Sequence, residues 1–233
     1  MNEDFEQLKT AHHSDVAIRG ATQAIHDLRS ALLSAQKGYA SSLANIERLE
    51  KSGKEVWREE KRAEESTRSY TTQRENAVRA LEQGLGSAEA AERQIKQCEV
   101  ILDDLETTTL ELMERQEVLA AQLAEARDTS ATANTVVATL TEDTPPQIIE
   151  RKRSVVEHTA TRDAALATLD AALRDRYNAL TKRKVTALAP IRREACSACR
   201  RVVPAQQVVD LKLHRLQACR GCGRWLILDD DTN

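Results

Sequence analysis

Two cysteine pairs carry the most specific chemistry in this sequence. Cys196-Ser-Ala-Cys199 is followed by nineteen residues and then by Cys219-Arg-Gly-Cys222-Gly223. A C-x-x-C segment folds as a tight knuckle that aims two thiolates at one point, and two knuckles complete a tetrahedron around zinc. Cys196, Cys199, Cys219 and Cys222 are therefore the predicted ligands of one structural Zn2+, with no coordination position left open. A segment of about 35 residues buries too little apolar surface to fold alone, and roughly 10–16 kcal/mol of metal binding would supply the difference. Two disulfides or a redox dithiol are the competing readings. Disulfides fit poorly with a cytoplasmic chain. A redox motif uses one pair in a βαβ context, and no such pattern is present.

The elements that must hold these thiolates are short. Arg201-Val202-Val203-Pro204 and Arg224-Trp225-Leu226-Ile227-Leu228 read as strands, and Gln206–His214 as a helical turn or longer. The outline is a zinc ribbon with Trp225 as its one large core side chain and Pro190 as the hinge before it. The ribbon is also basic. Residues 181–225 contain Lys182, Arg183, Lys184, Arg192, Arg193, Arg200, Arg201, Lys212, Arg215, Arg220 and Arg224 against only Glu194 and Asp210. Residues 1–180 carry 23 Lys/Arg and 32 Asp/Glu, and Asp229, Asp230 and Asp231 follow the ribbon. So concentrated a positive field attracts phosphate or an acidic partner, with strong salt dependence. A solvated surface that pairs with the acidic helical part is the competing reading.

The rest of the chain reads as helix. Among 233 residues there are six aromatics, seven Gly and four Pro, too few for a loop-rich β protein or an ordinary α/β enzyme. A heptad seam runs through Ile18, Ala21, Ile25, Leu28, Leu32, Ala35, Tyr39, Ser42, Ile46 and Leu49. A second runs through Ala88, Ala91, Ile95, Cys98, Leu102, Leu105, Thr109, Leu112, Gln116, Leu119, Leu123 and Ala126, and extends toward Val137 and Leu140. A 3.5-residue period implies supercoiling against a partner helix. Half of the seam is lost over residues 50–76, which suits a hairpin end, although the phase runs on unbroken from 18 to 140. The predicted fold is thus an all-α, elongated antiparallel coiled-coil hairpin over residues 1–188 with a small C-terminal zinc ribbon over 189–233. The alternative is one very long helix in a parallel dimer. Two places can form the tip, the polar stretch 66–74 or Gln83–Ser87, and each arm of about 65 residues would span ~100 Å. A break is expected over 128–146, where Thr144-Pro145-Pro146-Gln147 has the pattern of a capped helix start. The helix that follows should end by Leu188, before Pro190.

No catalytic constellation is legible. His12, His13, His26 and His158 lie on helical stretches without a fixed acid or thiol beside them and read as solvated side chains, and His214 adds nothing to a metal that four cysteines satisfy. Cys98 falls on the seam and reads as a small apolar side chain. There is no glycine-rich phosphate loop and no G-x-S-x-G. The expectation is that the chain is not an enzyme. No apolar run reaches the roughly 18 residues of a membrane span, and the acidic opening MNEDFEQLK has no signal-peptide pattern, so a cytoplasmic protein is expected.

The stretch from Tyr177 to Leu228 resembles the bacterial coiled-coil proteins with a C-terminal C4-type zinc ribbon, a family that includes flagellar and chlamydial type III secretion zinc-ribbon proteins. The matching features are Arg176, Tyr177 and Leu180 in Arg-Tyr-x-x-Leu, the basic run Lys182-Arg183-Lys184, and Ala189-Pro190-Ile191 before the first knuckle. Val203-Pro204-Ala205-Gln206 lies between the knuckles, and the second knuckle continues as Cys-x-x-Cys-Gly-Arg. Upstream, Asn76–Gln83 is similar to a family segment just after the hairpin tip, which implies a turn before about 74. Departures are Val78 where an aromatic is usual, Leu213-His214-Arg215 at a Gly-Asp-type turn, and Arg200 where His is frequent. The resemblance implies an adaptor or chaperone-like protein that engages the nitrogen-type sigma factor or flagellar or type III secretion components. Binding of RNA or DNA by the basic ribbon is the alternative, and a purely architectural rod the third reading. A monomer or an elongated dimer fits each of these.

Overall fold

A computed structural model describes residues 2–184 and 186–228, with the side chains of Asn2 and Lys184 left aside. Two long helices, α1 (Asn2–Glu82) and α2 (Ala88–Ala167), are followed by α3 (Ala171–Lys184) and a small cysteine-bearing module. That module contains β1 (Leu188–Arg192), β2 (Ala195–Cys196), α4 (Ala205–Lys212) and β3 (Trp225–Leu228). The chain divides into two compact units, Leu32–Thr141, and Met1–Ala31 together with Glu142–Asn233.

In the unit Leu32–Thr141, α1 and α2 run antiparallel. Arg127 meets Glu50 at 2.9 Å and Arg115 meets Glu59 at 3.8 Å, so partners descend α2 as they ascend α1. The buried side chains repeat every seven residues: Leu49, Val56, Ala63 and Ala77 on α1, and Ala91, Cys98, Leu112 and Ala126 on α2. The seam predicted from periodicity is the packed face. The alternate seam positions are only half-buried, since two helices alone cannot cover a full stripe.

The tip lies at Gln83–Ser87, not before residue 74. Gly84 has φ 69°, the Leu85 N–H donates to the Ala80 carbonyl (2.9 Å) and the Gly84 N–H to the Leu81 carbonyl (3.2 Å), a left-handed glycine cap. Ser87 then caps α2 through its carbonyl to Ala90 and Ala91. The polar stretch 66–74 stays helical because its hydroxyls are satisfied within the helix. Thr67 donates to Ala63, Thr71 to Thr67 and Thr72 to Arg68.

The expected break over 128–146 is likewise absent, and α2 runs through it. The seam continues at Ser130, Ala133, Val137, Leu140 and Thr144, all buried or half-buried. Thr129, Thr132, Thr135 and Thr139 each donate to the carbonyl four residues back. Pro145 and Pro146 lie inside α2 and remove the donors to the Thr141 and Glu142 carbonyls, with ring crowding there, a cost that the continuing seam outweighs. Thr144 is no cap; it is buried, and its hydroxyl has no partner. The interruption comes later, at Thr168–Asp170. There Asp170 caps α3, its Oδ1 accepting the Leu173 N–H at 2.8 Å and its carbonyl the Arg174 N–H at 3.1 Å.

The other unit is built on one apolar cluster. Phe5, Leu8 and Ala11 of α1, Leu166 of α2, Leu169 in the interruption after it, and Tyr177 of α3 pack with Leu188, Leu211, Trp225, Leu226 and Ile227. Cys196 and Cys219 belong to the same cluster. The sheet order is β2-β1-β3, with β1 antiparallel to β2 and parallel to β3. Pro190 is therefore not a hinge: it sits in β1 opposite Ile227. The strand predicted at Arg201–Pro204 shrinks to a single bridge from Val202 to Ala195.

Candidate metal centre

The two knuckles have the same backbone hydrogen bonds. In the first, the Cys196 N–H donates to the Arg201 carbonyl (2.9 Å) and the Arg200 N–H to the Cys196 carbonyl (2.8 Å). In the second, the Cys219 N–H donates to Arg224 (2.8 Å) and the Gly223 N–H to Cys219 (2.8 Å). Each turn closes with a left-handed residue after its second cysteine: Gly223 at φ 74° and Arg200 at φ 58°. Glycine takes that conformation freely, whereas arginine is strained there by roughly 1–2 kcal/mol.

All four sulfurs lie within 4.8 Å of one another. Cys196 Sγ is 3.8 Å from Cys222 Sγ, and Cys199 Sγ is 3.5 Å from Cys219 Sγ. These separations are far beyond the ~2.05 Å of a disulfide. They match the ~3.8 Å edge of a tetrahedron built from ~2.3 Å zinc–sulfur bonds. The donor set and spacing could hold one metal ion and are compatible with zinc; all four positions of a tetrahedron would be taken by protein.

The protein environment tunes the thiols unequally. Burial pushes the Cys196 thiol up to about 12. Burial also opposes ionisation of Cys222, yet hydrogen bonds from the Arg224 backbone and side chain and from Cys199 and Cys219 bring it down to about 7. The Gly221 N–H points at Cys219 Sγ at 3.4 Å. Gly221 itself has no room for a side chain, because a Cβ would lie 3.0 Å from Arg201 Cδ and 3.2 Å from Cys199 Sγ.

The predicted basic residues fall into two groups. Lys182 and Arg183 at the end of α3, Arg192 and Arg193 at the β1–β2 turn, Arg200, Arg201 and Arg220 around the cysteines, and Lys212 at the end of α4 are exposed. Arg215 is exposed but faces Asp210 at 3.6 Å. Arg224 is half-buried, and its Nε donates to the carbonyl and hydroxyl of Thr186 at 3.0 and 3.1 Å, which makes it a structural brace. The Lys184 side chain and Asp229–Asp231 lie outside the described residues.

No family model matches this chain, and no curated protein matches it in sequence. The fold does have relatives. The structure of CT398 from Chlamydia trachomatis is similar with a TM-score of 0.71 at 16% identity, covering 97% of this chain and 98% of that one. The HP0958 protein from Helicobacter pylori gives 0.64 at 12% identity, covering 97% of both chains. A Mycobacterium smegmatis protein gives 0.50 at 17% identity, covering 97% and 98%. At such identities the likeness is one of fold: two long helices followed by a small C-terminal module.

Sequence reasoning picked out Arg176 and Tyr177 only as matching features and missed Phe5, Asp15 and Arg162, which together with them seat this module. Tyr177 is 1% exposed, stacks on Trp225 at 6.5 Å and donates to Asp15 Oδ2 at 2.6 Å. Arg162 reaches Asp15 Oδ1 at 3.4 Å. Arg176 lies 4.9 Å over the Trp225 ring and donates to the Gly223 carbonyl at 3.3 Å. Phe5 meets His214 edge-on at 6.4 Å. The spacing Phe5-x-x-Leu8-x-x-Ala11 was the available signal, one apolar stripe at the start of α1.

Proposed function

We propose that this chain is a non-enzymatic adaptor that binds protein partners on its helical hairpin and carries a zinc ribbon held by Cys196, Cys199, Cys219 and Cys222. The observation that supports protein docking is an apolar groove of about 540 Å³ in the unit Leu32–Thr141. Leu49, Gly53, Trp57, Leu119, Ala120 and Leu123 line it. Trp57 is 52% exposed there, and a side chain added at Gly53 would meet open space. An exposed tryptophan beside an unfilled apolar notch suits an anchor residue of a partner. The ribbon supports a non-catalytic role, because four thiolates leave a metal no position for substrate.

The resemblance of the cysteine module supplies the candidate partners: the nitrogen-type sigma factor, or flagellar or type III secretion components, in the cytoplasm. The test is titration of these purified proteins against the full-length chain and its Trp57→Ala variant. Binding that weakens about tenfold or more in the variant supports the reading. Binding indifferent to Trp57, or none at all, overturns it.

A second reading rests on the exposed Arg192, Arg193, Arg200, Arg201 and Arg220. These suit the phosphate backbone of RNA or DNA, which would be held with an affinity that falls steeply with salt. Absence of binding to either polymer at low salt removes it.

A further inference from the structure

A cleft of about 780 Å³ opens where the break at Thr168–Asp170 lets α3 diverge from the end of α2. Four cations line it, Arg19, Arg162, Arg174 and Lys182, against two carboxylates, Asp15 and Asp163. Both carboxylates are hydrogen-bonded within the cleft: Asp15 accepts from the Tyr177 hydroxyl and from Arg162, and Asp163 accepts from Arg162 Nε and Nη2 at 2.9 and 2.7 Å. Arg162 is thereby tied to the floor, and the four cations exceed the two carboxylates by two charges. Arg174 and Lys182 have no carboxylate partner among the described residues. With Asn178 and Thr181 they occupy one stripe of α3, at spacings of four, seven and eight residues.

We propose that this cleft binds a small organic phosphate, the phosphate held by Arg174 and Lys182 with the Asn178 side-chain amide as a further donor. A net charge of two positives fits a phosphate monoester, which carries about −1.5 to −2 at neutral pH, better than a single carboxylate. Ala167, exposed at the end of α2, offers a small apolar contact to an aliphatic or sugar body. The one aromatic ring in the lining, Tyr177, is 1% exposed, so the cleft has no platform for stacking bases. A sugar phosphate fits these constraints where a polynucleotide does not. The volume lies within the usual range of small-molecule sites.

Titration calorimetry of the full-length zinc-loaded protein with ribose 5-phosphate tests the proposal, with ribose as the uncharged control. Saturable one-to-one binding is expected, weakened about fivefold or more by Arg174→Gln and by Lys182→Met and unchanged by Arg153→Gln, an exposed arginine of α2 outside the cleft. Circular dichroism identical to wild type shows that the variants fold. No saturation at millimolar ligand, equal binding of ribose, or equal loss in Arg153→Gln each overturns it.

Discussion

The two units of this protein are stabilised in opposite ways. In the unit Leu32–Thr141 the core is a thin line of one buried residue per heptad, often alanine, and each position resembles the next. In the other unit a single cluster gathers aromatic rings, aliphatic side chains from four helices and two of the cysteines. A line of small equivalent contacts degrades gradually when one is lost. A concentrated core that includes the cysteine cluster fails as a whole.

Metal removal should show the contrast most strongly. Stripping the ion with a chelator, or replacing Cys219 by Ser, forfeits up to about 10–16 kcal/mol of folding energy in the cysteine module. Trp225 fluorescence in a Trp57→Phe background should report unfolding, while Trp57 in a Trp225→Phe background should stay unchanged. Parallel loss of both signals would refute the independence of the units. Core truncation comes next. Leu8, fully buried among ring and aliphatic side chains, should cost about 3–4 kcal/mol as Ala, whereas Leu112→Ala in the thin seam should cost about 2 or less, since two helices can close the gap. Urea melts of the two variants compare them directly, and equal costs would erase the distinction.

Acid should also act on one unit alone. His12, expected from the sequence to be solvated, is instead buried on α1, and its pKa is lowered to about 4 by that burial, with His13 and Arg19 adding to the effect and Asp15 opposing it. An unfolded histidine protonates near pH 6.5, so between about pH 6.5 and 4 the unfolded chain binds the proton first. Stability from neutral His12 is complete above that window and is lost as pH falls through it. The slope is at most about 1.4 kcal/mol per pH unit and smaller for a ring partly in contact with water. His12→Leu should flatten it in melts monitored at Trp225; an unchanged slope would place the acid sensitivity elsewhere. Around the cysteines the expected effects are smaller still. Gly221→Ala should weaken metal affinity about tenfold by pressing on Cys199, read by competition with a chromophoric chelator. Arg200→Gly should stabilise the module by about 1 kcal/mol, because it relieves the left-handed strain that Gly223 avoids in the other knuckle. A destabilised variant would show that the Arg200 side chain contributes more than its backbone costs.

Periodicity made the hairpin legible because a heptad seam is written locally, and the C-x-x-C spacing did the same for the cysteine cluster. The errors arose where local signals compete with packing. Pro145-Pro146 is a helix-start pattern, yet two missing donors were outweighed by a seam that continues on both sides of it. The polar positions Thr67 and Arg74 suggested a tip because seam burial was assumed complete, whereas a two-helix stripe tolerates them half-exposed. The true interruption at Thr168–Asp170 has neither glycine nor proline, and only Asp170 as a cap could have flagged it. β1 was hidden because Leu188-Ala189-Pro190-Ile191 pairs with a strand nearly forty residues away, and a pairing of that range leaves no periodic trace.

Phe5 and Ile227 share one core although more than two hundred residues separate them. Contacts of such sequence separation form late, since the chain must first close a very large loop while its helices and hairpin turn assemble from neighbours. During synthesis the first turns of α1 must therefore wait, apolar stripe uncovered, until the residues around Ile227 have been made. Capture of an ion by the four cysteines would then coincide with the closing of that loop, so that metal and the first helix arrive at one core together.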